Sequence, residues 1–285
     1  MSAKPRSPLP PTAFTLPAKY YIDPAMFERE LDVFFRRMWV CVGRFEELGE
    51  YGSYVARHLA GDSLFLVRTS RPGEPDAVRA FHNLCRHRGT ALCAEESGRF
   101  AGSIQCEYHA WTYDFDGQLI GAPHMEGAPH FRKEDFPLHQ ARAGVWDGFL
   151  YVCLSDTGPT LEQQLADMPA KFRPWRMDEL RRGDGITYDI PANWKLIIQN
   201  FSECLHCPNL HPALNKLSHY LSGEMSRCAR PTWAAAWIST TAWPPCRWTA
   251  PVRATSCPVW HLTISAASTT TRCSRICSSA PIRTT

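Results

Sequence analysis

Two pairs of cysteine and histidine side chains lie close together in the first half of the sequence. Cys85 and His87 form one pair, and Cys106 and His109 form the other. Two chemistries fit such a set. One is a tetrahedral structural zinc site; the other is a [2Fe–2S] cluster in which two thiolates hold one iron and two imidazoles hold the other. Zinc fingers usually place their histidines together, whereas here each segment supplies one Cys and one His, which favours two different irons.

A second set of metal-binding side chain types follows at Glu203, His206 and His211. Glu203 and His206 are three residues apart, so they share a face of a helix. His206 and His211 are five apart, which suits one metal poorly on a continuous helix. Pro208 is expected to end the helix near residue 207 and let His211 fold back from a loop. Two imidazoles and a carboxylate suit non-haem Fe(II) with open coordination positions.

The elements that must position these side chains change along the chain. Asp23 and Pro24 mark a helix start, and apolar residues at helical spacing continue from there to Met38. Residues 39–154 show short apolar runs separated by glycine turns, which predicts a compact all-β module around the first set. Residues 193–206 return to helical spacing, so the second set is expected beside a helix.

The composition changes sharply at residue 226. Residues 226–285 contain seven Arg and no Lys, Asp, Glu, Gly, Phe or Tyr, yet they hold five of the ten Trp and five of the twelve Cys. This tail carries +7, so the first 225 residues carry −4 in a chain whose net charge is +3. Disordered tails are poor in aromatic residues, so we interpret the segment as an out-of-frame translation. In the frame that starts one base earlier, every Trp and Cys codon contributes to a Leu, Met or Val codon.

The overall composition excludes several classes of protein. The chain has 285 residues, of which 44% are hydrophobic and 21% charged, as expected for one large or two modest globular domains. Its longest apolar run, from Phe149 to Leu154, is far shorter than the ~20 residues of a membrane helix. The proline-rich N-terminus lacks the apolar core of a secretory signal. We therefore expect a cytoplasmic protein with reduced thiols, no membrane contact and no nucleic-acid partner.

Sequence motifs around both sets resemble those of a known enzyme family. Asn83-Leu-Cys-Arg-His-Arg-Gly89 and Cys106-Glu-Tyr-His-Ala-Trp111 resemble the two cluster loops of the Rieske domain in ring-hydroxylating oxygenases. Asn193-Trp-Lys-Leu196 and Asn200-Phe-Ser-Glu-Cys-Leu-His-Cys-Pro-Asn-Leu-His-Pro212 are similar to the mononuclear-iron segment of the same alpha subunits. The resemblance extends over residues 20–225.

The first resemblance implies a role for each matching residue. Cys85 and Cys106 would bind one iron of a Rieske [2Fe–2S] cluster, and His87 and His109 would bind the other. Neutral imidazoles in place of thiolates raise the reduction potential to ~−150 to +300 mV. Such a cluster accepts an electron easily and passes it on. Cys93 lies nearby without a partner at ligand spacing, so we expect it to be a buried structural thiol.

The second resemblance implies an iron site and a bridge between subunits. His206 and His211 would be ligands of a mononuclear Fe(II), and Glu203 would link a neighbouring subunit's cluster histidine to this site. The third ligand of the family is a later Asp, but this sequence has no acidic residue beyond Glu224. We therefore expect the iron site to lack its third carboxylate ligand and this chain to be catalytically incomplete.

The resemblance also implies a fold and a reaction. The fold is α+β: an all-β Rieske domain followed by the start of a helix-grip (START-like) catalytic domain, which is incomplete here. Electrons from NAD(P)H would arrive through a separate reductase or ferredoxin component. O₂ would then be used to hydroxylate, or oxidatively demethylate, a small substrate such as an aromatic compound or a quaternary amine. The family usually assembles as homotrimers or as α₃β₃.

These observations divide the chain into five predicted regions. They are an N-terminal arm and helix, a Rieske domain, a connector, the start of the catalytic domain and the out-of-frame tail, at residues 1–38, 39–155, 156–186, 187–225 and 226–285. Three alternatives stay open: a Rieske electron carrier without oxygenase activity, a zinc-stabilised binding module, and a β-domain with a nucleic-acid-binding tail. The carrier predicts no second metal motif, the zinc module a colourless protein, and the tail a steeply salt-dependent affinity for nucleic acid.

Overall fold

The computed structural model describes residues 14–202, 205–217, 219–220, 258–264 and 271–277. Its strands are β1 (Val40–Arg44), β2 (Ser53–Leu59), β3 (Asp62–Arg68), β4 (Val78–His82), β5 (Ser97–Arg99), β6 (Ile104–Gln105), β7 (Thr112–Tyr113), β8 (Leu119–Gly121), β9 (Gln140–Trp146), β10 (Phe149–Cys153), β11 (Asp184–Ile190), β12 (Pro258–Ile264) and β13 (Thr271–Cys277). Its α-helices are α1 (Lys19–Ile22), α2 (Pro24–Glu30), α3 (Leu161–Leu165), α4 (Met168–Phe172), α5 (Trp194–Ser202), α6 (Cys207–Leu210) and α7 (Pro212–Leu217).

The strands from β1 to β10 form the all-β module that the sequence predicts. Seven of them make one antiparallel sheet, in the order β1-β10-β9-β4-β3-β2-β5. The short strands β6, β7 and β8 make a second antiparallel sheet. The first Cys/His segment follows β4, and the second connects β6 to β7. Each segment is therefore anchored to a different sheet.

Alternate residues of β3 enter two different apolar cores, one on each face of the large sheet. Phe65 and Val67 belong to the core beneath the Cys/His segments, whereas Leu64 and Leu66 belong to the core that contacts the N-terminal helix. All four side chains are fully buried. Successive strand residues point to opposite faces, so a strand covered on both faces needs an uninterrupted apolar run. This explains the unbroken apolar pattern at this point of the sequence.

The N-terminal helix begins as predicted and then changes its winding. Asp23 caps α2 by accepting a hydrogen bond from the Ala25 N–H at 2.9 Å, and Pro24 occupies the first turn. The next six residues, Leu31–Arg36, form a π-helix, a rare structure that often marks a functional site. The apolar residues predicted to share one α-helical face therefore lie on a helix whose two halves are wound differently.

Residues 161–179 contain short helices where the sequence predicts a polar connector. Thr160 and Gln163 form a capping box at the start of α3. Leu161, Leu165 and Met168 then pack against the end of the large sheet. The chain turns between α3 and α4 at Ala166, which has a φ of 50°.

The described parts of the C-terminal segment are two strands. β12 and β13 form an antiparallel sheet with β11, in the order β11-β13-β12. The rest of the predicted out-of-frame tail lies outside the described residues, so that hypothesis and the five region boundaries stay predictions. The described chain is α+β, as the sequence predicts. None of its described helices combines the length and apolar character that crossing a membrane requires.

The turn before β8 provides a test of how tightly the core beneath the Cys/His segments is packed. Gly117 has a φ of 84°, and a Cβ there would lie 2.5 Å from Phe81 Cε1. Gly73 has a φ of 89°, but a Cβ there would meet no atom within 4 Å. Gly73→Ala should lower the free energy of unfolding by about 1 kcal/mol. Gly117→Ala should lower it by about 2–4 kcal/mol, since it adds overpacking.

Equilibrium urea unfolding followed by circular dichroism compares these two glycine variants with the unmodified chain. Equal losses of stability in Gly73→Ala and Gly117→Ala would contradict the close contact with Phe81.

Candidate metal centres

The first Cys/His pair lies on a short loop closed by two backbone hydrogen bonds. The Cys85 N–H donates to the Thr90 carbonyl at 2.8 Å, and the Gly89 N–H donates back to the Cys85 carbonyl at 2.9 Å. Gly89 has a φ of 74°, a left-handed conformation that glycine adopts without strain. This closure leaves the Cys85 side chain buried and the His87 side chain exposed.

The second pair lies on a loop with the same closure. The Cys106 N–H donates to the Trp111 carbonyl, and the Ala110 N–H donates back to the Cys106 carbonyl, both at 2.9 Å. Ala110 has a φ of 57°, so it occupies the left-handed position that glycine holds in the first loop. Two segments from different sheets thus repeat one backbone design. Each presents a buried cysteine from its first residue.

The two loops bring their side chains together as like pairs. Cys85 and Cys106 are each 2% exposed, and both side chains lie in the same apolar core. The rings of His87 and His109 meet edge to face, with centroids 4.7 Å apart. Trp111 stacks on the His87 ring at 4.8 Å with an interplanar angle of 11° and so holds it in place. The sequence-predicted residues therefore converge with both sulfurs on the buried side and both imidazoles toward the surface.

Tyr113 contacts the buried thiol side of this cluster of side chains and was not singled out by the sequence. Its hydroxyl accepts a hydrogen bond from the Arg86 N–H at 3.2 Å. The same hydroxyl lies 3.3 Å from Cys85 Sγ, so its own proton is available to the sulfur. Burial raises the pKa of Tyr113 well above its usual range, which keeps the phenol protonated as a donor. Tyr113 lies two residues after Trp111, the end of the second motif, and this proximity is the sequence feature that could have indicated its role.

The nearby ionisable groups differ in their suitability as ligands. Desolvation, followed by the neighbouring His109 and Arg88, lowers the pKa of His87, which favours the neutral imidazole that binds metals. Burial raises the pKa of Cys93 to about 12 and that of Cys41 to about 11. Both thiols are therefore held in the unreactive protonated form, in agreement with the structural role expected for Cys93.

Asn83 organises the first loop through its side-chain amide, and the sequence reasoning had no role for it. Its Oδ1 accepts hydrogen bonds from the Leu92 and Cys93 N–H groups at 2.9 and 2.8 Å. Its Nδ2 donates to the Cys93 carbonyl at 2.8 Å. The Asn83 side chain thus forms hydrogen bonds with the backbone of Leu92 and Cys93, and it connects the chain before the loop to the chain after it.

The second candidate centre joins two of its three predicted residues. His206 precedes α6 and His211 follows it, and their rings lie 5.3 Å apart at 77°. Pro208 was expected to end a helix, but it lies in the first turn of α6, where its missing N–H costs nothing. One short helical turn between the two histidines thus brings them together. Glu203 lies outside the described residues.

Comparison with known families identifies both parts of the chain. Residues 38–132 match the family of the Rieske [2Fe-2S] domain. Residues 177–257 match the catalytic domain of the ring hydroxylating alpha subunit, a match that extends into the predicted out-of-frame tail. Within the described residues, no group of three or more His, Cys, Asp or Glu side chains is placed to hold one metal ion.

Curated relatives with this arrangement are oxygenase subunits. The carnitine monooxygenase oxygenase subunit of Escherichia coli (strain K12) is 35% identical over 208 residues, which is 72% of this chain and 54% of the relative. The glycine betaine monooxygenase oxygenase subunit of Pseudomonas aeruginosa (strain UCBPP-PA14) is 32% identical over 204 residues, 72% of this chain and 46% of the relative. The chain thus spans about half the length of the curated relatives it matches.

The solved structures that resemble this chain are oxygenases as well. The quaternary ammonium Rieske monooxygenase CntA in complex with γ-butyrobetaine superposes with a TM-score of 0.65 at 30% identity, covering 70% of this chain and 57% of that one. Naphthalene 1,2-dioxygenase from Rhodococcus sp. gives a TM-score of 0.59 at 29% identity, covering 70% of this chain and 46% of that one. The chain belongs to the family of Rieske oxygenase alpha subunits.

Removal of the Asn83 amide should loosen the first loop. Asn83→Ala leaves two backbone N–H groups of buried residues without an acceptor, so the free energy of unfolding should fall by about 2–4 kcal/mol. Asn83→Asp keeps the oxygen that accepts both N–H groups and loses the donor to the Cys93 carbonyl and Ser63 Oγ, so it should cost about 1 kcal/mol. Gln105→Ala, which removes an exposed amide beside the second loop, should cost less than about 0.5 kcal/mol.

Urea unfolding monitored by circular dichroism measures the Asn83 series. A loss in Asn83→Ala no larger than the loss in Gln105→Ala would show that the amide does not organise the loop.

Proposed function

We propose that this chain is the cluster-bearing part of an oxygenase alpha subunit that acts on quaternary ammonium compounds. The proposal depends above all on the two identically closed loops, which place two thiols on one side and two imidazoles on the other. Cys85 and Cys106 would hold one iron of a [2Fe–2S] cluster, and His87 and His109 the other. The donor set fits such a cluster, because the two buried thiols share one apolar core and the two imidazole rings meet edge to face.

The substrate class follows from the relatives. The matching oxygenase subunits are named for carnitine and glycine betaine, both quaternary amines. A more distant relative, from Sphingobium sp. (strain YBL2), is named as an N,N-dimethyl phenylurea N-demethylase. We therefore favour an N-alkylated substrate over an unsubstituted aromatic ring. The match of residues 177–257 to the catalytic domain argues against an electron carrier without oxygenase activity.

The chain's own residues divide the work between the two centres. The exposed His87 and the half-buried His109 would receive and release electrons at the surface, while the buried thiols exclude water from the other side. When bound, the cluster supplies single electrons and a mononuclear iron supplies O₂ activation. His206 and His211 would hold that iron, and Glu203 would connect it to the cluster histidine of a neighbouring subunit.

The partners follow from the same assignment. NAD(P)H electrons would come through a separate reductase or ferredoxin component, O₂ and a small molecule would be the substrates, and the subunits would form a homotrimer or α₃β₃. Assembly is required because the bridge joins the cluster of one subunit to the iron of the next. The cytoplasmic location also stays a proposal.

The proposed mononuclear iron site of this chain lacks a third ligand. Two histidine ligands are present, but the sequence has no acidic residue beyond Glu224 to act as a third ligand. The purified chain should therefore take up electrons from NADH and a reductase without turning over carnitine or glycine betaine. Multiple turnovers, measured as substrate-dependent NADH and O₂ consumption, would overturn this expectation.

The out-of-frame hypothesis has its own test. Resequencing of the coding DNA across codons 215–285 should find one base gained or lost near codon 226. The corrected frame should continue the catalytic domain and reach a late Asp. A chain expressed from that frame is the one in which to assay quaternary amines. A confirmed sequence without any sensible shifted frame would disprove the hypothesis.

Replacement of a proposed cluster ligand should separate ligands from structural thiols. His109→Ala should abolish the visible absorption of the cluster, because one iron loses half of its protein ligands. Cys93→Ala should leave the absorption and a stoichiometry of two irons and two sulfides unchanged, since Cys93 is a buried protonated thiol. Retention of the full spectrum in His109→Ala, or a colourless unmodified protein, would contradict the cluster assignment.

Removal of the Tyr113 hydroxyl should lower the reduction potential of the cluster. A hydrogen bond to Cys85 Sγ stabilises the more negative reduced state, and its loss should shift the potential by roughly −40 mV, about 1 kcal/mol for one electron. Tyr151→Phe is the control, because Tyr151 is buried in a different apolar cluster; its shift should stay below about 10 mV. Equal potentials for Tyr113→Phe and the unmodified protein, in a spectroelectrochemical titration, would exclude this donor.

A further inference from the structure

A buried ion pair joins the N-terminal helix to the start of the catalytic region, 165 residues later. Lys195 Nζ lies 2.6 and 2.7 Å from the two carboxylate oxygens of Glu30. The Trp194 indole N–H donates to the same carboxylate at 3.0 Å. The side chains of Glu30 and Lys195 are only 7% and 13% exposed. Burying two charges costs free energy unless the geometry is good, so this contact is specific rather than incidental.

The π-helix lies where this contact is made. Glu30 is the last residue of α2, and the π-helix Leu31–Arg36 follows it directly. Phe34 and Phe35 both meet the Trp194 ring edge-on, at centroid distances of 6.5 and 5.6 Å. Adjacent residues of an α-helix point about 100° apart, yet these two contact one ring. The N-terminal segment therefore encloses Trp194 with a carboxylate and two aromatic rings.

Further contacts extend along helix α5. The Gln199 side-chain N–H donates to the Tyr21 hydroxyl at 2.9 Å. The Asn193 side-chain N–H donates to the Tyr21 carbonyl at 3.1 Å. Asn193, directly before α5, and Gln199, within α5, are thus both hydrogen-bonded to Tyr21 in α1. Helix α5 ends at Ser202, and His206 follows four residues later.

We propose that Glu30 is a positioning residue for the metal-binding segment: through Lys195 and Trp194 it holds helix α5 so that His206 and His211 face each other. This inference rests on the proposed role of the two histidines. Its physical basis is that removal of Glu30 leaves the Lys195 charge buried without a counter-charge, and movement of α5 away from the N-terminal helix would return that charge to water.

The first test is hydrogen–deuterium exchange of the full chain carrying its cluster. In Glu30→Gln, exchange in residues 194–217 should become roughly 100-fold faster, because a buried ion pair is broken. Exchange in the cluster loops and the visible spectrum should not change. Asp32→Asn is the matched control on the same helix, because it breaks an exposed ion pair with Arg37; its effect should be less than about twofold.

The second test uses Co²⁺ as a probe of the two histidines, through its visible absorption bands. The unmodified chain should bind Co²⁺, and His206→Ala should abolish these bands. Glu30→Gln should weaken Co²⁺ binding by at least about tenfold, whereas Asp32→Asn should leave it unchanged. The double variant Glu30→Gln/Lys195→Met removes both charges and should recover much of the exchange protection, since no unpaired charge remains.

The outcomes separate the two proposals. No Co²⁺ binding in the unmodified chain would overturn the metal role of the histidines, while the exchange experiment still decides the role of Glu30. Exchange that is unchanged in Glu30→Gln, or faster to the same extent in the cluster loops, would overturn the positioning role.

A substitute is needed if Glu30→Gln does not fold. Trp194→Phe then takes its place, because it keeps an aromatic ring at this position and removes the indole donor to Glu30. A local increase in exchange of about tenfold would support the proposal, and no local increase would overturn it.

Discussion

The structure depends on one constraint: two thiols and two imidazoles must meet although they come from two separate loops. The fold meets it by using the same short loop twice, closed by the same pair of backbone hydrogen bonds. Each closure needs a left-handed residue, supplied by Gly89 in one loop and Ala110 in the other. Because backbone bonds and packing fix both loops, the four side chains are ordered by the protein itself.

Polarity across this site follows from how the loops are buried. Cys85 and Cys106 point into the apolar core of the β-module, and Tyr113 offers a hydrogen bond there. His87 lies at the surface, supported by Trp111. A cluster held here would have its potential tuned by burial and hydrogen bonding on the thiol side, and its imidazole side would face the surface. Strand β3 of the large sheet is covered by an apolar core on each face, and both cysteines lie in one of these cores.

The second candidate centre also has contacts with residues that are distant in the sequence. His206 and His211 flank a single helical turn, which cannot hold them in place by itself. In our proposal helix α5 positions them, and α5 contacts the N-terminal helix through Glu30, Lys195 and Trp194. In this view the π-helix allows one short segment to make both the Glu30–Lys195 ion pair and the aromatic contacts with Trp194.

The sequence by itself determined the elements and the chemistry that depend on local patterns. Motif spacing singled out the four proposed cluster ligands and the two histidines. The Asp23-Pro24 pair predicted the helix start, and the apolar patterns predicted the strands of the β-module. These features follow from side-chain type and periodicity, which are local. Only the tertiary structure decided which distant residues support them. Asn83, Tyr113 and Glu30 act through partners that are 9 to 165 residues away, and no periodicity records such contacts, because they arise when separate elements pack together.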